Sequence, residues 1–467
     1  MSRRPGEVLV PDDKQRKFMW RVPAACYQWL LLKFACLAPA WELTTLTPEE
    51  AETWCQSTFR ILIPDHLKKC IGVHKVSSIL PYYYGTFKAK CFSAWQEVGH
   101  VCSKPLHSCL RKIVSCCKWP FRRRWRWIHR AWETVIRQSC PSDEIWSLKD
   151  ACQIMSSRCK TAKVSDGLQH CGRCGCDKPT CVAITADAGQ FFETVQPPQA
   201  IAAARRCLSR CARMHGHVTV SVLTGPKRIG FLGGSTLGKL HGVMVFAFCD
   251  LFLAFAACLF ICYVSLGRSV FRLKGLSIGG VLCKVATSLV LGEEEFQWQC
   301  APRRRRDLGF TATSNSWNSE VARGRYVDDL LWVSGVYCAT CLFTAVQHCY
   351  TVDFELCESG EKVTWLDVCF HARCTAWSMK PKQWVLPPPW SSPKGFAHSF
   401  LCGRLARLDE CTLSMSDWLD ASVVILIGFW SAGWSKRVVR GAIFKSTIRR
   451  GKLDRTCLLL ACDKLWG

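Results

Sequence analysis

Between Cys181 and about residue 395 the apolar positions fall into short runs interleaved with stretches of helical spacing, and this mixture predicts an α+β domain. Two of the runs end on acids. Val182-Ala183-Ile184-Thr185-Ala186 reads as a buried strand that delivers Asp187 at its end, followed by a small-residue turn and the aromatics Phe191 and Phe192. Arg325-Tyr326-Val327-Asp328-Asp329-Leu330-Leu331-Trp332-Val333 reads as a hairpin with β-forming arms and two adjacent carboxylates at its turn. Val243 to Leu266 is almost wholly apolar and long enough to cross a bilayer, with Asp250 as its only charge. The internal Asp and the lack of other clear spans favour a buried helix there. Pro387-Pro388-Pro389 and Ser391-Ser392-Pro393 read as a linker. The residues beyond it read as basic amphipathic helices, with Ser416-Asp417 capping one and Gly433 breaking the pattern. Near the other end, Thr47-Pro48-Glu49-Glu50 is a helix start, Thr capping and Pro in the first turn. The expected regions are 1–75, to which no chemistry attaches, a basic and Cys-rich 76–186, a strand-rich 187–395, and a helical 396–467.

Composition narrows the partner. With 49% hydrophobic residues, 21 Trp and 24 Phe, the 467-residue chain has too much to bury for a disordered tail. Its 62 Lys and Arg against 36 acids give a formal charge of +26, so polyanions are attracted: nucleic acid first, anionic membrane second. The run Phe121-Arg122-Arg123-Arg124-Trp125-Arg126-Trp127 suits phosphate contact with stacking, or equally a solvated basic face. Arg303-Arg304-Arg305-Arg306 reads by default as a solvated loop. The 33 cysteines are scattered and odd in number, and no opening signal peptide precedes them. That usage points to a reducing, intracellular compartment, nuclear or cytoplasmic. Cys171, Cys174, Cys176 and Cys181 have the Cys-x-x-Cys spacing of a zinc knuckle. A second such pair at the standard separation is missing, so free thiols are the plainer reading.

The acids carry the chemistry. Adjacent carboxylates such as Asp328 and Asp329 are costly to ionise together unless a divalent cation sits on them. Hard ions such as Mg²⁺ take oxygen ligands from more than one segment, and Asp187 is a distant third carboxylate of the right kind.

These segments resemble the ordered palm motifs of reverse transcriptases of retroelement type, non-LTR or Penelope-like. Asp187 with Phe192 five positions on matches the first motif. Lys274-Gly275-Leu276-Ser277-Ile278-Gly279-Gly280-Val281-Leu282-Cys283 matches the glycine-rich second, and Tyr326 to Asp329 the Tyr-x-Asp-Asp third. Val363-Thr364-Trp365-Leu366-Asp367-Val368 resembles the strand near the primer grip, with Asp367 structural. Lys88-Ala89-Lys90-Cys91 and His107 to Val114 look like fingers motifs, and residues 400–407 with Gly433-Trp434 like the thumb.

The resemblance implies a right-hand polymerase: fingers over 76–186, palm with an antiparallel sheet over 187–395, helical thumb over 396–467. It implies two Mg²⁺ (or Mn²⁺) ions on Asp187, Asp328 and Asp329. Arg111, Phe192, Gly275, Gly279, Gly280 and Tyr326 would hold nucleotide and template. The implied reaction is RNA-dependent DNA synthesis from an RNA template, a DNA primer and deoxynucleoside triphosphates, with no membrane. Ser277 and Cys283 stand where the family usually has Pro and Ser. A catalytically decayed copy that only binds nucleic acid is therefore the alternative, and a membrane protein with a span at 243–266 a remoter one.

Overall fold

The computed structural model describes residues 6–11, 19–71, 80–87, 110–116, 122–139, 142–189, 191–225, 229–234, 242–276, 279–280, 282–310, 317–366, 368–379, 386, 388–392, 394–411, 415–445 and 452–467. Lys88 to Cys91, His107 to Cys109, Ser277 and Asp367 lie outside the described residues. The chain forms two compact units, each assembled from separate stretches: residues 1–142 with 190–296, and residues 143–189 with 297–467.

The first unit holds a five-stranded sheet in the order Trp41–Leu43, Ser269–Leu273, Tyr263–Leu266, Tyr82–Phe87, Leu110–Ser115. A three-stranded sheet has Thr219–Leu223 between Gly230–Leu232 and Val243–Ala247. Thr47 caps the helix Pro48–Leu62 as expected: its Oγ1 accepts from the Glu50 amide at 3.2 Å, and its own amide donates to Glu50 Oε2 at 2.7 Å. The apolar stretch 243–266 divides into a strand, the helix Phe248–Phe260 and a second strand. At 13 residues that helix is about 20 Å long, short of the roughly 30 Å hydrocarbon layer. No helix among the described residues is long and apolar enough to cross a membrane. Asp250 bonds His66 Nε2 at 2.8 Å. The arginine–tryptophan run opens the helix Arg122–Ser139, whose Trp125 is buried against Phe59, so this ring is core and not a stacking surface. Glu293 is gripped by Arg206 at 2.8 Å and Arg210 at 2.5 Å, which joins the helices Pro197–His215 and Cys283–Gln299.

The second unit is built on a four-stranded antiparallel sheet in the order Val321–Tyr326, Asp329–Ser334, Val182–Ala188, Phe354–Gly360. Its central strands are apolar at nearly every position because both faces are covered. Ala183, Leu331 and Val333 pack with Met155 and Cys159 of the helix Leu148–Thr161 and with Trp365, Phe370 and Trp377 of a small three-stranded sheet. On the opposite face Trp332 meets Tyr350, which follows the helix Ala339–Cys349. Gly324 admits the helix: a Cβ there would lie 2.5 Å from Met155 Sδ. The tetra-arginine run is a helix, Pro302–Asp307, and not a loop. Arg305 is buried, donates to the carbonyls of Trp298 and Gln299, and lies over the Trp317 ring.

The last stretch is helical, as the sequence reads. Phe396–Cys411, Met415–Ser431, Lys436–Lys445 and Lys452–Trp466 enclose their own core around Trp418, Leu426, Phe429 and Ile443. Gly433, at φ +76°, ends the second of these. Ser416 falls inside that helix, so it is not the residue before it.

Candidate active site

The antiparallel register decides which acids meet. Asp329 pairs directly with Asp187, and Asp187 pairs on its other side with Glu355. Directly opposed residues in antiparallel strands point to one face with Cβ atoms roughly 4.5–5.5 Å apart. Asp329, Asp187 and Glu355 therefore form a row across three strands, and Asp328 stands beside it in the two-residue turn. The strand Val182–Ala188 is buried over its first five residues and opens to solvent at Asp187, so the sheet ends where the acids begin. Cys357 reports the field they create. Burial first, and then the negative charge of Asp187, Asp329 and Glu355, push its thiol above the ordinary range. Cys357 lies where the register shifts between Leu356 and Glu358, an extra residue beside the acid row.

Three contacts fix the turn. Val327 has φ +62°, a left-handed conformation that costs a β-branched residue of order 1–3 kcal/mol. Its carbonyl accepts from Arg325 Nη1 at 3.1 Å. Arg325 is fully buried and ion-pairs through Nη2 with buried Glu144 at 3.5 Å. Arg325 also exchanges backbone bonds with the neighbouring segment, its amide donating to the Asp143 carbonyl and its carbonyl accepting from the Ile145 amide. Trp365 Nε1 donates to the Asp329 carbonyl at 3.3 Å, which places the expected primer-grip strand against the acidic hairpin. The Asp328 carbonyl accepts from the Ala188 amide, tying the turn to the Asp187 strand.

The expected nucleotide and template residues, apart from Tyr326, belong to the first unit. Tyr326 pairs across the hairpin with Asp329. Phe192 lies in the short helix Phe191–Thr194, and its carbonyl accepts from the Leu276 amide at 2.7 Å, so the first-motif aromatic is bonded to the glycine motif. Gly275 is required by that approach, since a Cβ on it would sit 2.1 Å from the Glu193 carbonyl oxygen. Gly275→Ala is expected to cost about 1–3 kcal/mol of stability, read as a lower urea midpoint, because two backbones must separate. Gly279, at φ +98°, lies against the Val114 carbonyl on the strand Leu110–Ser115, which carries exposed Arg111. Gly280 and Cys283 line a cavity of about 30 Å³ with Cys116, Cys258 and Leu282. Cys283 thus sits beside the Cys116 and Cys258 thiols.

The structure gathers three of the four cysteines of the knuckle-like run and adds one from elsewhere. The Sγ atoms of Cys171, Cys174, Cys176 and Cys338 all lie within 4.8 Å of one another. Cys181 is not among them: it is fully buried and its thiol donates to the Val164 carbonyl at 2.7 Å. The sequence carries the missing signal as Cys338-Ala339-Thr340-Cys341, a second Cys-x-x-Cys far along the chain. The amide of Cys176, followed by its thiol, lowers the Cys174 thiol to about 6, and the same contact pushes the Cys176 thiol up to about 12. Glu355 carried no such spacing, and only the strand register reveals it.

No family model matches the chain, and no curated protein matches it either. Among solved structures it is similar to telomerase from Candida albicans with the TWJ fragment of telomeric RNA, at 10% identity and TM-score 0.53, covering 98% of this chain and 70% of that one. It is also similar to apo telomerase from Candida tropicalis, at 8% identity and TM-score 0.50, covering 98% and 74%. The RNA-dependent RNA polymerase of a human picobirnavirus follows at 11% identity and TM-score 0.40, covering 95% and 84%. The fold is that of a right-hand polymerase, α+β.

Proposed function

We propose that the chain is a template-directed nucleotidyltransferase of the reverse-transcriptase kind, making DNA on an RNA template. The observation that carries this reading is the register that sets Asp329 opposite Asp187 with Asp328 in the adjoining turn. Separated by well over a hundred residues, these acids gather at the open end of one sheet, and the polymerase fold supplies the setting.

The donor set fits hard divalent cations: carboxylate oxygens from two strands and a turn, exposed at Asp187, with Glu355 alongside. Asp187, Asp328 and Asp329 would hold Mg²⁺ or Mn²⁺. When bound, such ions lower the pKa of a primer hydroxyl and offset charge on a triphosphate. The chain's own contribution is positioning. Arg325 and Trp365 hold the turn and the Asp329 backbone, so the carboxylates stay aligned without reorganising. Phe192 and the glycine motif, joined by the Leu276–Phe192 bond, would seat the sugar and template, with Arg111 on the triphosphate. The net charge of +26 suits the phosphate backbone of template and primer. The four-stranded sheet that carries the acids would serve as palm and the helices of 396–467 as thumb, in a reducing compartment.

Primer extension with the purified chain tests this. A DNA primer on an RNA template should be extended with deoxynucleotides in Mg²⁺ or Mn²⁺, and an Asp328→Asn, Asp329→Asn form should not extend it. Salt-sensitive binding without extension by the unaltered chain would instead identify a decayed copy that only binds nucleic acid.

A further inference from the structure

We propose that Cys171, Cys174, Cys176 and Cys338 form a zinc site that ties together the two acid-bearing strands at their far ends. The geometry is that of a tetrathiolate. Zinc bound by four sulfurs at about 2.3 Å needs them roughly 3.8 Å apart. Cys174 Sγ lies 3.3 Å from that of Cys176 and 3.8 Å from that of Cys338, and the whole set falls within 4.8 Å. Small shifts of exposed Cys174 and Cys176 would centre an ion among them.

The backbone around the thiols is already shaped for a ligand. The Cys171 amide donates to the Cys176 carbonyl at 2.8 Å, and the Gly175 amide to the Cys171 carbonyl at 2.9 Å. Gly175 takes φ +72°, which turns the loop back so that Cys174 and Cys176 face Cys171. His170 and Asp177 close the neck with a side-chain bond of 2.8 Å. On the other arm, Cys338 stands at the cap of the helix Ala339–Cys349 and its amide donates to Cys171 Sγ at 3.3 Å. Amide donors to sulfur stabilise the charged thiolate that metal binding requires. The arms also meet without metal, the Gly172 amide donating to the Val336 carbonyl and the Leu168 amide to the Gly335 carbonyl.

The fifth nearby thiol, Cys341, lies outside the set of four and is engaged by Arg173 Nη1 at 3.7 Å. The position gives the site its role. Val182 pairs with Ser334 at one end of the central strands and Asp187 with Asp329 at the other. The thiols sit on the segments just before Val182 and just after Ser334, so the metal would fix the strand register some 17 Å from the acids.

The test uses the full chain prepared under reducing conditions with zinc supplied. Metal analysis should find one zinc per chain, and Co²⁺ exchanged for it should give thiolate charge-transfer bands with the intense visible absorption of tetrahedral cobalt. Cys176→Ser, a change at an exposed thiol that disturbs no packing, should weaken Co²⁺ binding at least tenfold with unchanged circular dichroism. Cys341→Ser and Cys181→Ala should keep both the metal and the spectrum. Less than a tenth of an equivalent of zinc and a featureless cobalt titration would overturn the site. Retention of metal by Cys176→Ser with loss in Cys341→Ser would overturn the ligand set. Because metal content and absorption are read without nucleotides, failure here is distinguishable from failure of the polymerase reading.

Discussion

Asp187→Asn is expected to reduce primer extension by about a thousandfold while leaving the fold intact. The first half follows from the acid row: a central carboxylate that would hold cations becomes a neutral amide. Losing such a charged ligand costs about 4 kcal/mol of transition-state stabilisation, or about a thousandfold in rate. The second half follows from the same geometry. Asp187 has a carboxylate directly opposite it on both sides, Asp329 and Glu355, and like charges directly opposed across strands destabilise a sheet, so the change relieves two repulsions. Asparagine keeps the size of the side chain at this exposed position, so the far-ultraviolet circular dichroism spectrum should be unchanged. Glu355→Gln relieves one of them and removes a flanking acid, and a loss nearer tenfold is expected. Equal extension by Asp187→Asn and the unaltered chain, in a preparation free of other polymerases, would remove Asp187 from the site. A large fall in its melting midpoint would mean that the row is a structural network.

Much of this site is legible along the chain because its parts are short-range. A buried strand that ends on an acid, and a hairpin with acids at its turn, announce themselves through local apolar flanks, and both form as read from Val182–Ala188 and from Val321–Ser334. What the sequence hides is register. Glu355 is one of two exposed acids on its strand, and nothing but its pairing with Asp187 distinguishes it. Cys338 is hidden in the same way, 164 residues from Cys174 and joined to it only by the sheet. Charge runs mislead for another reason. Four consecutive arginines read as solvated, yet a helix places one of them, Arg305, inside, where backbone carbonyls and the Trp317 ring replace water. The apolar stretch 243–266 is long enough for a membrane as a string, but it is spent on two strands and a short helix, all within one unit.

Arg325→Leu should lower unfolding stability by about 3–5 kcal/mol, because it leaves Glu144 buried without its cation. The arginine also holds the Val327 carbonyl, so two effects are mixed in that variant and a second one separates them. Replacing both partners, Arg325→Met with Glu144→Leu, removes the buried charge altogether and is expected to recover most of the lost stability, since apolar pairs of similar size replace buried ion pairs at little cost. Extension should not recover with it. Val327 would keep its left-handed conformation without the donor that offsets it, and the turn carrying Asp328 and Asp329 would sample other geometries. Urea midpoints and extension rates on the three proteins decide the matter. A double variant that regained both together would show that Arg325 acts only through Glu144. Stability regained without activity would show that the guanidinium aligns the acids.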